Sequence, residues 1–146
     1  MTQEDKKLLL KDLSARLPYG VKVRTPYNDA ILGGIVDRKG VKTTIDYTDI
    51  VTDKQTYPIR YIKPYLRPMS SMTEEEKKEL LQISNFNPDV DDICYDSICC
   101  IERTSIDIVD IANFISWLNK NIFDYRRLIE KGIAIAVTEE NNPYKE

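Results

Sequence analysis

Histidine is absent from this 146-residue chain, and cysteine, glycine and tryptophan number three, five and one. Without histidine, Ser-His-Asp and Cys-His nucleophile arrangements in their usual forms are excluded. The commonest zinc ligand goes with it. Cys94, Cys99 and Cys100 are odd in number, and two are adjacent. They fit neither a secreted disulfide framework nor the C-x2-C pairs of structural zinc, and read as packed thiols in an apolar segment. The glycines form no G-x-G-x-x-G and precede no G-K-[ST], so a phosphate-cradling loop is not expected. Gly33-Gly34 reads as a backbone requirement instead. The acidic run Asp89–Asp92 fails as a calcium loop, because Cys94 and Cys100 fall where a glycine and a glutamate are needed. No apolar run approaches the ~20 residues of a membrane span. The first residues are polar, and Leu8–Leu10 is too short for a secretion signal. The expected compartment is therefore the cytoplasm, with no metal and no cofactor.

What is present is enough apolar material, 42%, for one core. Charged residues make up 31% of the chain, yet the net charge is only −3. That balance fits neither a disordered polyelectrolyte nor a binder of extended nucleic acid. The charge is unevenly spread: formally +5 over residues 1–72 and −8 over 73–146. Halves of opposite sign attract each other, or attract a second copy, so a homo-oligomer is compatible with the sequence.

Periodicity divides the chain. Glu4–Leu17 repeats Leu9, Leu13 and Leu17 at helical spacing, with Thr2 and Asp5 placed as a cap and Pro18 and Gly20 as the stop. Lys, Asp, Ser and Arg fill much of the rest. From Val21 the period becomes two. Strands are expected at Val21–Thr25, Ala30–Val36, Val41–Tyr47 and Thr56–Ile62, with Gly33-Gly34 a bulge or bend and Pro58 an edge mark. Thr48–Gln55 reads as a polar connection, and Lys63–Met72 as a packed linker. Thr73 and Glu76 form a capping box for the next helix, with Leu80, Leu81 and Ile83 as its apolar contact. Ile93–Ile101 fits strand or helix. Ile106–Lys120 reads as a helix with Ile108, Ile111, Ile115 and Leu118 in one stripe, flanked by Val109, Ala112 and Trp117. Phe123–Lys131 reads as a short helix, Ile133–Val137 as a last strand.

These elements predict an α+β fold. A helix over residues 1–20 precedes a small SH3-like or Sm-like antiparallel barrel, or a curled sheet, over 21–67, with an open meander covered by the first helix as the main alternative. A mainly helical region over 73–137 packs on it, and 138–146 is a frayed tail.

Six of the nine tyrosines lie in the first 65 residues, among lysines and arginines. Aromatic rings beside cations can stack bases and hold phosphates, or anchor a protein partner. The candidate ligand-binding residues are Tyr19, Arg24, Tyr47, Arg60, Tyr61 and Lys63. No carboxylate pair sits in an apolar segment that would raise a pKa, so a small enzyme using paired carboxylates is only an alternative.

Three segments, LLLKDLSARLPYGVKV, IKPYLRPMSSMTEEEKKEL and WLNKNIFDYRRLIEKGIAI, resemble an uncharacterised family of small proteins from Bacteroides-type gut bacteria and their phages or mobile elements. The resemblance covers both ends of the chain and transfers no catalytic or binding residue. It implies an accessory role such as interference with host defence. Together the expectation is a non-enzymatic binding protein for a protein partner or a small anionic ligand such as a nucleotide, with a signalling-nucleotide sponge as one form.

Overall fold

The computed structural model describes residues 1–37, 48–84 and 108–145. The expected strand Val41–Tyr47, the acidic loop, and Ile93–Ile101 with all three cysteines lie outside the described residues.

Helix α1 (Gln3–Arg16) starts at a capping box: the Asp5 amide donates to Thr2 Oγ1 at 3.1 Å, and the Thr2 amide to Asp5 Oδ2 at 3.2 Å. A 3-10 turn over Leu17–Tyr19 follows, and Gly20 reverses the chain at φ 64°. Gly20 is left-handed, a conformation glycine adopts without the usual Cβ clash.

Strands β1 (Lys22–Arg24), β2 (Asp29–Asp37), β3 (Thr48–Thr52), β4 (Thr56–Pro58), β5 (Lys63–Leu66) and β6 (Ile135–Ala136) form one mixed sheet in the order β4-β3-β2-β1-β5-β6. Every pairing is antiparallel except β5 with β6. The register between β2 and β3 slips between Leu32 and Gly34, so the paired glycines do mark a bulge. At Gly33 a Cβ would stand 3.4 Å from the Val51 carbonyl oxygen, and a side chain would crowd the neighbouring strand.

The expected barrel is not there. The sheet is open and not strongly curled, with β4 at one edge and β6 at the other. Closure would need β4 to pair with the far edge of β5, but β6 occupies that edge: Tyr65 opposes Ile135 and Leu66 opposes Ala136. Pro58 also removes a donor from β4.

Four further expectations change. Thr48–Thr52 is a strand, not a connection. Ile50 is fully buried, and its β-branched neighbours suit an extended backbone. Part of the expected linker is β5, because Pro64, Tyr65 and Leu66 are buried between β1 and β6. Phe123–Lys131 is a chain of turns, not a helix, since Ile122 and Arg127 adopt φ 58° and 60°. The tail expected to fray is tied down instead: Tyr144 Oη donates to the Tyr65 carbonyl at 3.0 Å and accepts from the Lys22 amide at 2.8 Å.

Two apolar clusters result. One buries Leu9 and Leu13 of α1 against Val21, Val23, Ile50, Ile62 and Leu66 of the sheet side. The other joins α2 (Glu74–Ser84) and α3 (Ile108–Lys120) through Leu80, Phe114, Trp117 and Leu118 to Phe123 and Tyr125. The buried edge of α3 is thus aromatic. Ile111 and Ile115 of the expected stripe are only half-buried, and Val109 is 61% exposed. In α2 only Leu80 is buried, whereas Leu81 and Ile83 are exposed.

Candidate functional site

The parallel β5–β6 pair ends at Leu66 and Ala136. Beyond those ends the two chains diverge. Val137 still donates to the Leu66 carbonyl at 2.8 Å, but Arg67 pairs with a new segment, bridging Phe123. The Arg67 amide donates to the Ile122 carbonyl, and the Asp124 amide to the Arg67 carbonyl, both at 2.8 Å. The change of partner opens a cleft of about 510 Å³. That size suits a small-molecule site, and crevices beyond the carboxyl ends of parallel strands are recurrent ligand positions in other sheet folds.

The walls come from four places. Tyr19 and Gly20 arrive from the turn after α1, and Arg67 and Val137 from the strand ends. Lys120, Asn121 and Ile122 come from the end of α3, and Asn142 and Tyr144 from the C-terminal segment. Among the described residues no carboxylate lines the cleft.

Each side chain has a local reason to be there. Ile122 ends α3 in the left-handed position usually given to glycine: its amide returns to the Asn119 carbonyl at 3.2 Å, and that of Phe123 to Leu118 at 3.0 Å. A β-branched residue pays roughly 1–2 kcal/mol for that conformation. Arg67 is fixed by a bidentate pair with Glu76, two contacts of 2.8 Å, and its guanidinium lies 4.2 Å from the Phe123 ring centroid. This bond to Arg67 holds the Glu76 carboxyl below its ordinary range. Glu76 also caps α2, accepting from the Thr73 amide. Burial pushes the Tyr144 hydroxyl up to about 12, so it stays protonated and donating. Lys120, by contrast, is exposed, with no ion-pair partner among the described residues.

The sequence candidates separate. Tyr19 lines the cleft. Arg24 and Lys63 are brought face to face by the β1–β5 register, at the opposite end of that ladder from Arg67. Arg24 is paired with Asp29 at 3.1 Å and lies over the Tyr65 ring, and the bond to Asp29 raises its pKa. Arg60 and Tyr61 sit in a 3-10 turn with the guanidinium 4.6 Å from the ring centroid. Tyr47 lies outside the described residues. The five described candidates therefore do not form one rim.

Lys120, Asn121, Asn142 and Tyr144 were not singled out by the sequence reading. The only available signal for the first two was their place at the polar end of a helix, in Asn119–Asn121.

Behind the cleft lies a second constellation. Asp12 and Arg16, among the charged residues of α1, are fully buried and joined by contacts of 2.8 and 3.0 Å. Arg126 reaches the same carboxylate at 2.9 Å, and Arg16 donates to the Phe123 carbonyl at 2.7 Å. Asp124 accepts from the Leu128 and Ile129 amides, both at 2.8 Å. Burial nevertheless raises the Asp124 pKa, and the Asp12 charge adds to the rise. A carboxylate raised by burial thus exists at Asp124, where the sequence predicts none, but its oxygens are engaged by the Leu128 and Ile129 amides, while those of Asp12 bind Arg16 and Arg126.

A scan against protein-family models and searches of curated proteins and of solved structures return no match. Among the described residues no helix is long and apolar enough to cross a membrane.

Proposed function

We propose that the protein is a non-enzymatic binding protein that takes a small anionic ligand into the cleft between Tyr19, Arg67, Lys120 and Tyr144. The observation that carries this reading is the lining itself: two cations, two tyrosines and two amides with no carboxylate, at the point where β5 changes partner. Lys120 supplies the mobile charge. Arg67 supplies a fixed positive field, partly offset by Glu76. A sequestering role of phage or mobile-element origin rests on the family resemblance alone.

The test is thermal unfolding against a panel of small anions, comprising phosphate, citrate, sugar phosphates and nucleotides, with Lys120→Glu as the control. A ligand held at one hundred times its Kd stabilises by about 2.7 kcal/mol. Stabilisation that disappears in Lys120→Glu supports the reading. A flat response of the wild-type protein to every anion at millimolar concentration overturns it.

A second reading, a protein-binding surface, draws on Tyr27 and Tyr61, which are 82% and 49% exposed. Exposed tyrosines are frequent anchors in protein interfaces.

A further inference from the structure

The amide groups of the cleft narrow the ligand further. The Asn121 Nδ2 donates to the Trp117 carbonyl at 2.9 Å, which fixes the orientation of that amide and leaves its Oδ1 as an acceptor. Asn142 is fixed the other way: its Oδ1 accepts from the Tyr144 amide at 2.9 Å, leaving Nδ2 as a donor. The cleft therefore offers one committed acceptor and one committed donor. It also offers the exposed ammonium of Lys120, without a partner among the described residues, and the ring of Tyr19, 38% exposed.

A bare anion uses only the ammonium. A sugar phosphate uses the ammonium and the amides, and offers the ring only a C–H face, without a π-system. A heteroaromatic base presents donor and acceptor side by side on its edge and a π-face above, and its phosphate supplies the charge. Base–aromatic stacking adds to affinity and tolerates any base.

We infer that the ligand is a mononucleotide. Its phosphate sits at Lys120, its base lies on Tyr19, and the base edge is read by Asn121 Oδ1 and Asn142 Nδ2. This rests on the reading of the cleft as an anion site. It goes beyond that reading by requiring the base.

The experiment is calorimetric titration of the wild-type protein with the four ribonucleoside monophosphates, their nucleosides, ribose 5-phosphate and inorganic phosphate. At least one nucleotide is expected to bind tenfold or more tighter than both ribose 5-phosphate and its own nucleoside. Tyr19→Ala should weaken that nucleotide and leave ribose 5-phosphate unchanged, collapsing the ratio between them. Lys120→Ala should collapse the ratio between nucleotide and nucleoside. Circular dichroism of each variant separates loss of contact from loss of fold, and both side chains are exposed. Ribose 5-phosphate binding as tightly as every nucleotide overturns the inference and leaves the anion site standing. No binding by any phosphate compound overturns both. A Tyr19→Ala ratio equal to wild type also overturns it, because the base would then lie elsewhere.

Discussion

Two adjacent rows on the one buried face of α1, Leu9–Leu13 and Asp12–Arg16, show two ways of holding a helix. Leu9 and Leu13 bind it to the sheet through hydrocarbon burial. Asp12 and Arg16, each one turn from its partner and equally buried, bind it to the 123–129 turns through charge. Hydrocarbon contacts are tolerant: a smaller side chain loses area and leaves a cavity, but no group is left wanting. Buried ions are intolerant, since removing one strands the others without water. The junction of α1 with the 123–129 turns should therefore be the more fragile region.

The sharpest way to break that contrast is to substitute on both sides. Asp12→Asn leaves Arg16 and Arg126 facing a neutral amide and is expected to cost about 3–5 kcal/mol. Leu13→Ala is expected to cost about 2–5 kcal/mol. Urea unfolding monitored by circular dichroism measures both. If Asp12→Asn proves the milder of the two, the ion cluster does not hold the junction.

Acid sharpens the contrast in a second way. Glu76 has a depressed pKa in the folded protein, so its contribution is present above its unfolded pKa, near 4.5, and is lost as pH falls through the lower folded value. Asp124 has a raised pKa, so its contribution runs the other way: complete below its unfolded pKa, near 3.8, and lost as pH rises through the folded value. Acid weakening should thus begin at the Arg67–Glu76 wall of the cleft, while Asp124 partly offsets it. In stability measured from pH 6 to pH 2.5, Glu76→Gln should flatten the acid-side fall and Asp124→Asn should steepen it. A Glu76→Gln curve parallel to wild type throughout that range would place the acid sensitivity elsewhere.

The smallest effect compares the two capping boxes. Thr73→Ala should cost about 1 kcal/mol, because Thr73 caps α2 while its partner Glu76 also holds Arg67. Thr2→Ala at the first helix should cost less, about 0.5 kcal/mol, since that end is exposed and frays at little cost. The difference is readable as a shift in urea midpoint. Equal shifts would show that the link from Thr73 through Glu76 to Arg67 adds nothing.

Local patterns were legible where one residue and its near neighbours decide the outcome. The capping boxes at Thr2 and Thr73, the alternation Val21–Val23–Thr25, the bulge at Gly33-Gly34 and the edge position of Pro58 all follow from short-range sterics and hydrogen bonding. The barrel expectation failed at Leu66, whose outer edge is taken by Ala136, a residue 70 positions further along the chain. The helix expected at Phe123–Lys131 failed because Ile122 and Arg127 adopt left-handed backbone that propensity does not anticipate. For the cleft, the aromatic–basic pattern identified Tyr19 but also collected Arg24, Arg60, Tyr61 and Lys63, which share its composition and not its location.

The α1 and α2 starts, the early strands and the acidic–basic division are readable from the residues alone, because each is set within a few residues or by simple counting. That the sheet stays open, that Asp12 and Arg16 are buried, and that Tyr19, Arg67, Lys120 and Tyr144 share one cleft emerges from long-range packing. Those outcomes depend on which distant segment pairs with the edge of β5. An unpaired strand edge accepts any backbone that fits, so side-chain periodicity carries no record of the choice.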